Sequence, residues 1–206
     1  MSRLGQLLVG LGLFGAGLWL GLQAELGVGP WDVLHGGLSE RLGTPFGLTS
    51  IGVSALVLLV AVLAGVRPGV GTVLNVVLVG LVIDLLLATP LLDGLGEGSL
   101  VLRAAVTVAG VAVVAAGSAV YLGAHLGPGP RDGLMVAISH RNGWSVGRAR
   151  GVLECGVLVI GIVLGGPVGP GTVAFALLIG PAVQLAFRLL RQTAEQPAGA
   201  PAVGAR

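Results

Sequence analysis

Six long apolar segments, separated by short stretches rich in glycine, proline and charge, set the pattern of the chain. The segments are Leu4–Leu26, Leu48–Val66, Val70–Leu92, Val101–Leu126, Val146–Gly165 and Gly171–Leu190. A bilayer core about 30 Å thick needs about 20 apolar residues of helix to cross it. Each segment meets or approaches that length, so the pattern predicts an all-α transmembrane protein with six spanning helices.

The composition agrees with a chain whose surface faces lipid. Hydrophobic residues make up 54% and charged residues 10% of the chain, with a mean hydropathy of +0.99, whereas a soluble domain carries about 25% charged residues. The 38 glycines lie largely within apolar runs, where small residues let membrane helices approach closely. No basic patch with interleaved aromatic residues is present, so we expect no nucleic-acid partner.

The two halves of the chain repeat one another at an offset of 100 residues. Residues 24–87 and 124–187 align without gaps and are identical at 21 of 64 positions, where roughly seven are expected by chance from so biased a composition. The shared motifs read LGxGPxD and GxGTV. We therefore predict repeat 1 over residues 1–92, a linker over 93–100, repeat 2 over 101–191 and a disordered tail over 192–206.

Three spanning helices per repeat is an odd number, so we expect the two copies to face opposite ways across the membrane. With the amino terminus inside, only Arg41 and Arg103 lie on the outer side. The cytoplasmic side then holds Arg3, Arg67, Arg131, Arg141, Arg148, Arg150, Arg188 and Arg191. This bias follows the positive-inside rule and predicts an inverted-topology repeat with both termini cytoplasmic.

Each repeat carries a GPxD motif directly after its first apolar segment. The residues are Gly29, Pro30, Trp31 and Asp32 in repeat 1, and Gly129, Pro130, Arg131 and Asp132 in repeat 2. Proline suits the first turn of a helix, where its missing N–H would have no partner, and an early aspartate complements the helix dipole. The motif thus predicts a short helix. That helix either lies at the interface or re-enters the membrane as a half-helix lining a substrate path.

Three polar residues inside apolar segments are further candidates for the path: Asn75, Asp84 and Glu154. A carboxylate within the bilayer costs several kcal/mol unless it is paired, hydrated or protonated, so it marks a functional site by default. Two structural explanations stay open. Asp84 lies towards the end of its segment, and Glu154 can pair with Arg150 four residues earlier.

Motifs of known enzyme classes are absent: the sequence has no Walker loop, no nucleophile elbow in a polar setting and no HExxH. A metal site from Glu25, Asp32 and His35 is conceivable, but a polar interfacial face explains these residues better. We therefore predict no enzyme activity, no catalytic residue, no bound metal and no cofactor.

Four stretches carry a resemblance to a known family. They read LGVGPWDVLHGGLSERLG, RPGVGTVLNVVLVGLVID, LGPGPRDGLMVAISHRNGWSVGRAR and GPVGPGTVAFALLIGPAVQ. In these stretches the chain resembles the YczE-like branch of the YczE/YyaS/YitT bacterial membrane proteins, from about Gly5 to Leu190. The resemblance implies a multi-pass protein of the bacterial plasma (inner) membrane, and it implies no substrate.

The favoured hypothesis is a small-solute transporter or permease whose path runs between the inverted repeats. The expected partners are the lipid bilayer and an unidentified small solute or ion, together with either a second copy or another membrane protein. The alternative is a non-transporting scaffold or regulatory protein acting on a partner. A continuous polar cavity between the repeats favours transport, whereas glycine and valine packing with capped carboxylates favours a scaffold.

Overall fold

The computed structural model describes residues 2–191, and over that range the chain is helical with no β-strand. The predicted tail, residues 192–206, lies outside the described residues. In chain order the helices are α1 (Arg3–Gln23), α2 (Pro30–Leu42), α3 (Phe46–Leu63), α4 (Val70–Leu87), α5 (Leu100–Leu122), α6 (Pro130–Asn142), α7 (Val146–Val163) and α8 (Pro170–Leu189). A 3-10 turn at Leu95–Glu97 interrupts the predicted linker between α4 and α5.

Five of the described helices, α1, α3, α4, α5 and α8, are long and apolar enough to cross a membrane. Helix α7 has 18 residues, as α3 and α4 do, but it carries Arg148, Arg150 and Glu154. The six apolar segments of the sequence all coincide with long helices, α7 included. The predicted class, an all-helical membrane protein with several apolar helices, is confirmed.

Helices α1 and α5, which open the two halves, pack against each other through glycine. A Cβ atom built on Gly17 would lie 2.6 Å from the backbone nitrogen of Val114, and one built on Gly117 would lie 2.5 Å from that of Phe14. In addition, Gly10 faces Tyr121 at the end of α5, and Gly110 faces Gly21 near the end of α1. The two helices run antiparallel, with backbones too close for larger side chains at these positions.

The two repeated motifs of the sequence contact each other across the halves. The Gly171 N–H at the start of α8 donates to the Leu26 carbonyl after α1, at 2.6 Å. In the other half, the Gly71 N–H at the start of α4 donates to the Leu126 carbonyl after α5, at 2.7 Å. The LGxG turn of each half is thus held by the GxGTV helix start of the other half.

Left-handed backbone makes glycine necessary within these turns. Gly27 has a φ of +95° and Gly127 a φ of +112°, which non-glycine residues rarely adopt. A Cβ atom at Gly127 would also lie 2.7 Å from the hydroxyl of Thr72. The turn can therefore approach the partner helix only when no side chain intervenes.

We expect Gly17→Val and Gly117→Val to lower the melting temperature of the purified protein in detergent. The added side chains would collide with the backbone of the facing helix, and overpacking of this kind costs about 1–3 kcal/mol. Gly12→Val is the matched control, because a Cβ atom at Gly12 meets nothing within 4 Å. Equal destabilisation by all three substitutions would contradict the close packing of α1 on α5.

Candidate functional site

A cavity of about 190 Å³ lies between the two halves, at the amino-terminal ends of α2 and α6. Equivalent positions of the repeat line it in pairs: 29–32 with 129–132, 50 with 150, and 54 with 154. The polar and charged lining residues are Asp32, Ser50, Ser54, Asn75, Ser118, Tyr121, Arg131, Asp132, Arg150 and Glu154. Apolar side chains from α1, α4, α5 and α8 complete the wall.

The GPxD motifs begin both short helices in the same way. Pro30 and Pro130 each occupy the first helical turn, and the preceding Gly29 and Gly129 are extended N-cap residues without a side-chain cap. The prediction that each motif starts a helix is therefore confirmed locally. Since both starts line the cavity, the positive ends of two helix dipoles point towards the same space.

Asp32 and His35 form a buried pair on α2. Asp32 is 3% exposed and His35 is fully buried. The His35 Nδ1 atom lies 3.4 Å from Asp32 Oδ1. Among the described residues neither of these atoms has a hydrogen-bond partner, and His35 Nε2 has none either. Buried polar atoms are nearly always hydrogen-bonded in folded proteins, so this carboxylate stands out as unsatisfied.

Arg131 reaches across the cavity to the other half. Its guanidinium carbon lies 4.7 Å from the centre of the Trp31 ring, a cation–π contact. Within residues 2–191 the guanidinium has no carboxylate within 4.0 Å and forms no hydrogen bond. Arg131 therefore lines the cavity together with Trp31 of the other half.

The remaining charged groups of the cavity already have partners. Arg150 Nε donates to Glu154 Oε1 at 2.8 Å, the i,i+4 pair that the sequence allowed. The Tyr121 hydroxyl donates to Asp132 Oδ2 at 3.4 Å. Glu154 thus lines the cavity and is also ion-paired with Arg150.

The structure places one sequence candidate, Asp84, away from the cavity. Its carboxylate accepts hydrogen bonds from the backbone N–H groups of Gly47, at 2.6 Å, and Leu48, at 2.9 Å. These groups belong to the first turn of α3, whose N-cap residue Pro45 offers no side-chain acceptor. Asp84 therefore caps α3 and does not line the cavity, contrary to the prediction that it belongs to the substrate path.

In the second half, the equivalent helix α7 is capped by its own N-cap residue. Ser145 stands at the position equivalent to Pro45, and its hydroxyl accepts a hydrogen bond from the Arg148 N–H at 3.3 Å. With a local cap present, no carboxylate is needed from the neighbouring helix, and Gln184 replaces Asp84. The difference between the copies at this position is structural.

Ten of the residues that line the cavity were predicted from the sequence. The prediction missed Ser50, Ser118 and Tyr121, and it treated Arg150 only as the ion-pair partner of Glu154. The signal for Ser50 was available in the alignment of the halves, because its equivalent is Arg150. No such signal marks Tyr121, since Gly21 is its equivalent. Its position depends on the antiparallel packing of α1 and α5.

We expect Asp84→Ala to lower the melting temperature in detergent by removing the cap of α3, since the loss of a cap costs about 0.5–2 kcal/mol. Adding Pro45→Ser should restore part of this stability, because the serine hydroxyl would reproduce the cap seen at Ser145. Differential scanning fluorimetry of the single and double variants checks this. No rescue by the second substitution would argue against capping as the role of Asp84.

Fold and cavity together define the class: a polytopic helical membrane protein with a polar cavity between its halves. The chain belongs to a family of unknown function, DUF6198, whose profile matches residues 1–188. The resemblance to the YczE-like proteins is thereby confirmed, together with the similarities that follow.

Three relatives show the extent of the similarity. An uncharacterized protein of Haemophilus influenzae is 36% identical over 194 residues, covering 93% of this chain and 86% of its own length. The uncharacterized membrane protein YczE of Bacillus subtilis is 34% identical over 174 residues, covering 83% and 79%. The uncharacterized protein YyaS of the same organism is 27% identical over 173 residues, covering 84% and 86%. No solved structure matches the chain.

Proposed function

We propose that the chain is a small-solute transporter in which the cavity between the two halves is the substrate site. The observation that carries this proposal is the wall of the cavity, which equivalent positions of both halves build together. In transporters made of inverted repeats, substrates bind at the repeat interface, where half-helix ends meet. We assign this role to α2 and α6, because their amino-terminal ends line the cavity.

Two features support an inverted repeat of two three-helix units. Helices α1 and α5 hold equivalent places in the sequence repeat and pack antiparallel, as opposite membrane orientations require. The reciprocal hydrogen bonds of Gly71 with Leu126 and of Gly171 with Leu26 follow the same two-fold relation. Rocking of one half against the other would then expose the cavity to each side in turn.

The distribution of arginine supports cytoplasmic termini in the bacterial plasma membrane. Without Arg131 and Arg150, which line the cavity, six arginines still lie on the proposed cytoplasmic side and two on the outer side. Both outer arginines donate hydrogen bonds to backbone carbonyls within the protein. Arg41 donates to the Val163 and Leu164 carbonyls at the end of α7, and Arg103 donates to the Glu25 carbonyl.

Two observations support the alternative, a non-transporting scaffold, but the cavity favours transport more strongly. The glycine-packed contact of α1 with α5 and the capping role of Asp84 both suit a static protein. A scaffold, however, offers no reason to hold Asp32 and Arg131 in one cavity without pairing them to each other, since ionisable groups inside a membrane are expensive. We therefore favour transport.

Thiol labelling from each side of the membrane tests the proposal. In a Cys155→Ser background, Ser54→Cys should react with a membrane-impermeant maleimide in both right-side-out and inverted vesicles. The cavity would admit water from each side in turn, and labelling requires the hydrated thiolate. Leu59→Cys on the same helix is the control, because its 54% exposed side chain projects from the helix surface away from the cavity and should stay unlabelled in lipid.

Labelling of Ser54→Cys from one side only, or from neither side, would reject alternating access and favour the scaffold. Labelling of Leu59→Cys at the same rate would show that the reagent reaches the whole helix. In that case the access measured at Ser54 could not support a transport path.

A further inference from the structure

We propose that the cavity binds a small zwitterion, with its carboxylate against Arg131 and its ammonium group against Asp32. The inference rests on the proposed function and names the substrate class of the same site. An α-amino acid with a short side chain is the chemistry that fits. Three properties of the cavity lead to this class: two opposite charges that do not pair with each other, the formal charges of its lining and its size.

Two opposite charges line one small cavity without pairing. Asp32 belongs to α2 and Arg131 to α6, and no nitrogen of the guanidinium approaches the carboxylate within 4.0 Å. The Asp32 side chain is only 4% exposed, and its Oδ1 has no hydrogen-bond partner in the described chain. A buried charge without a partner is costly. A ligand that brings one charge of each sign would satisfy both groups at once.

The other polar groups leave these two free for a ligand. Glu154 occupies Arg150, and the Tyr121 hydroxyl is bonded to Asp132. The His35 Nδ1 atom lies 3.4 Å from Asp32 Oδ1, within ion-pair distance but outside hydrogen-bond geometry, and His35 balances the carboxylate charge only when its imidazole is protonated. The Trp31 ring fixes the guanidinium from one side. Its N–H donors can therefore present a bidentate edge to a carboxylate.

The formal charges of the lining favour one ligand class over the others. Three carboxylates, those of Asp32, Asp132 and Glu154, face two guanidiniums, those of Arg131 and Arg150. A purely anionic ligand would raise this excess negative charge from one to two. A purely cationic ligand would neutralise it but would leave Arg131 without a partner. A zwitterion serves both groups and leaves the net charge unchanged.

The size of the cavity favours a small ligand. Its volume of about 190 Å³ corresponds to roughly six water molecules at the density of the liquid. That space suits glycine, alanine or serine better than a large side chain. Phe14, Leu18, Val79 and Val114 provide an apolar wall for a methyl group.

Equilibrium binding to the purified full-length protein in detergent tests the proposal with three matched probes. Alanine carries both charges, N-acetylalanine carries only the carboxylate, and alaninamide carries only the ammonium group. Titration calorimetry should show alanine binding at least about tenfold tighter than either analogue. A tenfold difference in affinity corresponds to about 1.4 kcal/mol, which is within the contribution of one charge-assisted hydrogen bond. Glycine, serine and valine extend the series by side-chain size.

Variants of the two residues should separate their roles. Asp32→Asn should abolish the preference of alanine over N-acetylalanine, and Arg131→Gln should abolish its preference over alaninamide. Arg148→Gln is the matched control, because Arg148 also lies over a tryptophan, Trp144, at 4.9 Å but does not line the cavity. It should bind alanine as the wild type does. Gel filtration and melting curves establish that each variant is folded.

Three results would overturn the inference. N-acetylalanine binding as tightly as alanine would define an anion site, and alaninamide doing so would define a cation site. Failure of every zwitterion in the series to bind at millimolar concentration would exclude the class. Because binding is measured without flux, these failures differ from failure of the transport proposal: two-sided labelling of Ser54→Cys without zwitterion binding would leave a transporter of another solute class.

Discussion

The rest of the structure depends on one constraint: backbone polar groups within a membrane must find partners inside the protein. Helices α1 and α5 are followed by glycine-containing turns in which the Leu26 and Leu126 carbonyls find their partners outside the turn. Each turn is satisfied by the other half, through the Gly171 bond to Leu26 and the Gly71 bond to Leu126. These two bonds join the halves and fix where α2 and α6 begin. The position of the cavity follows, because its floor is formed by those two helix starts.

Residues shared by the two copies build this frame, and residues that differ supply its chemistry. Glycine and proline recur at the turns and helix starts because backbone approach and a fixed φ are needed in both halves. Along the cavity wall the copies diverge at positions 31 and 131, 50 and 150, and 54 and 154. One side contributes tryptophan and serines, and the other contributes arginines and glutamate. An internally symmetric pocket thus acquires an asymmetric distribution of charge, which a ligand with two distinct ends can recognise.

Much of the fold could be predicted from the sequence, because hydrophobic length identifies spanning helices and proline identifies helix starts. The site was predictable where the repeat motif itself lines the cavity, at Gly29 to Asp32 and at their equivalents. Asp84 was misplaced because its partners lie 36 and 37 residues earlier in the chain, and a hydrophobicity pattern cannot distinguish a capping carboxylate from one in a cavity. The positive-inside count likewise cannot tell a surface arginine from Arg131, because the rule uses the position of a residue along the chain and not its depth.

The separation of Asp32 from Arg131 has a mechanical consequence if the two halves move. Each residue lies in the first turn of a short helix that follows a turn anchored on the opposite half, so a shift of the halves would change the distance between the two charges. A ligand bridging the two charges would tie α2 to α6, and its binding energy would depend on the distance between the halves. Such differential affinity is what a ligand needs to shift a conformational equilibrium. The residues proposed to recognise the solute would therefore also couple its binding to the opening and closing of the path.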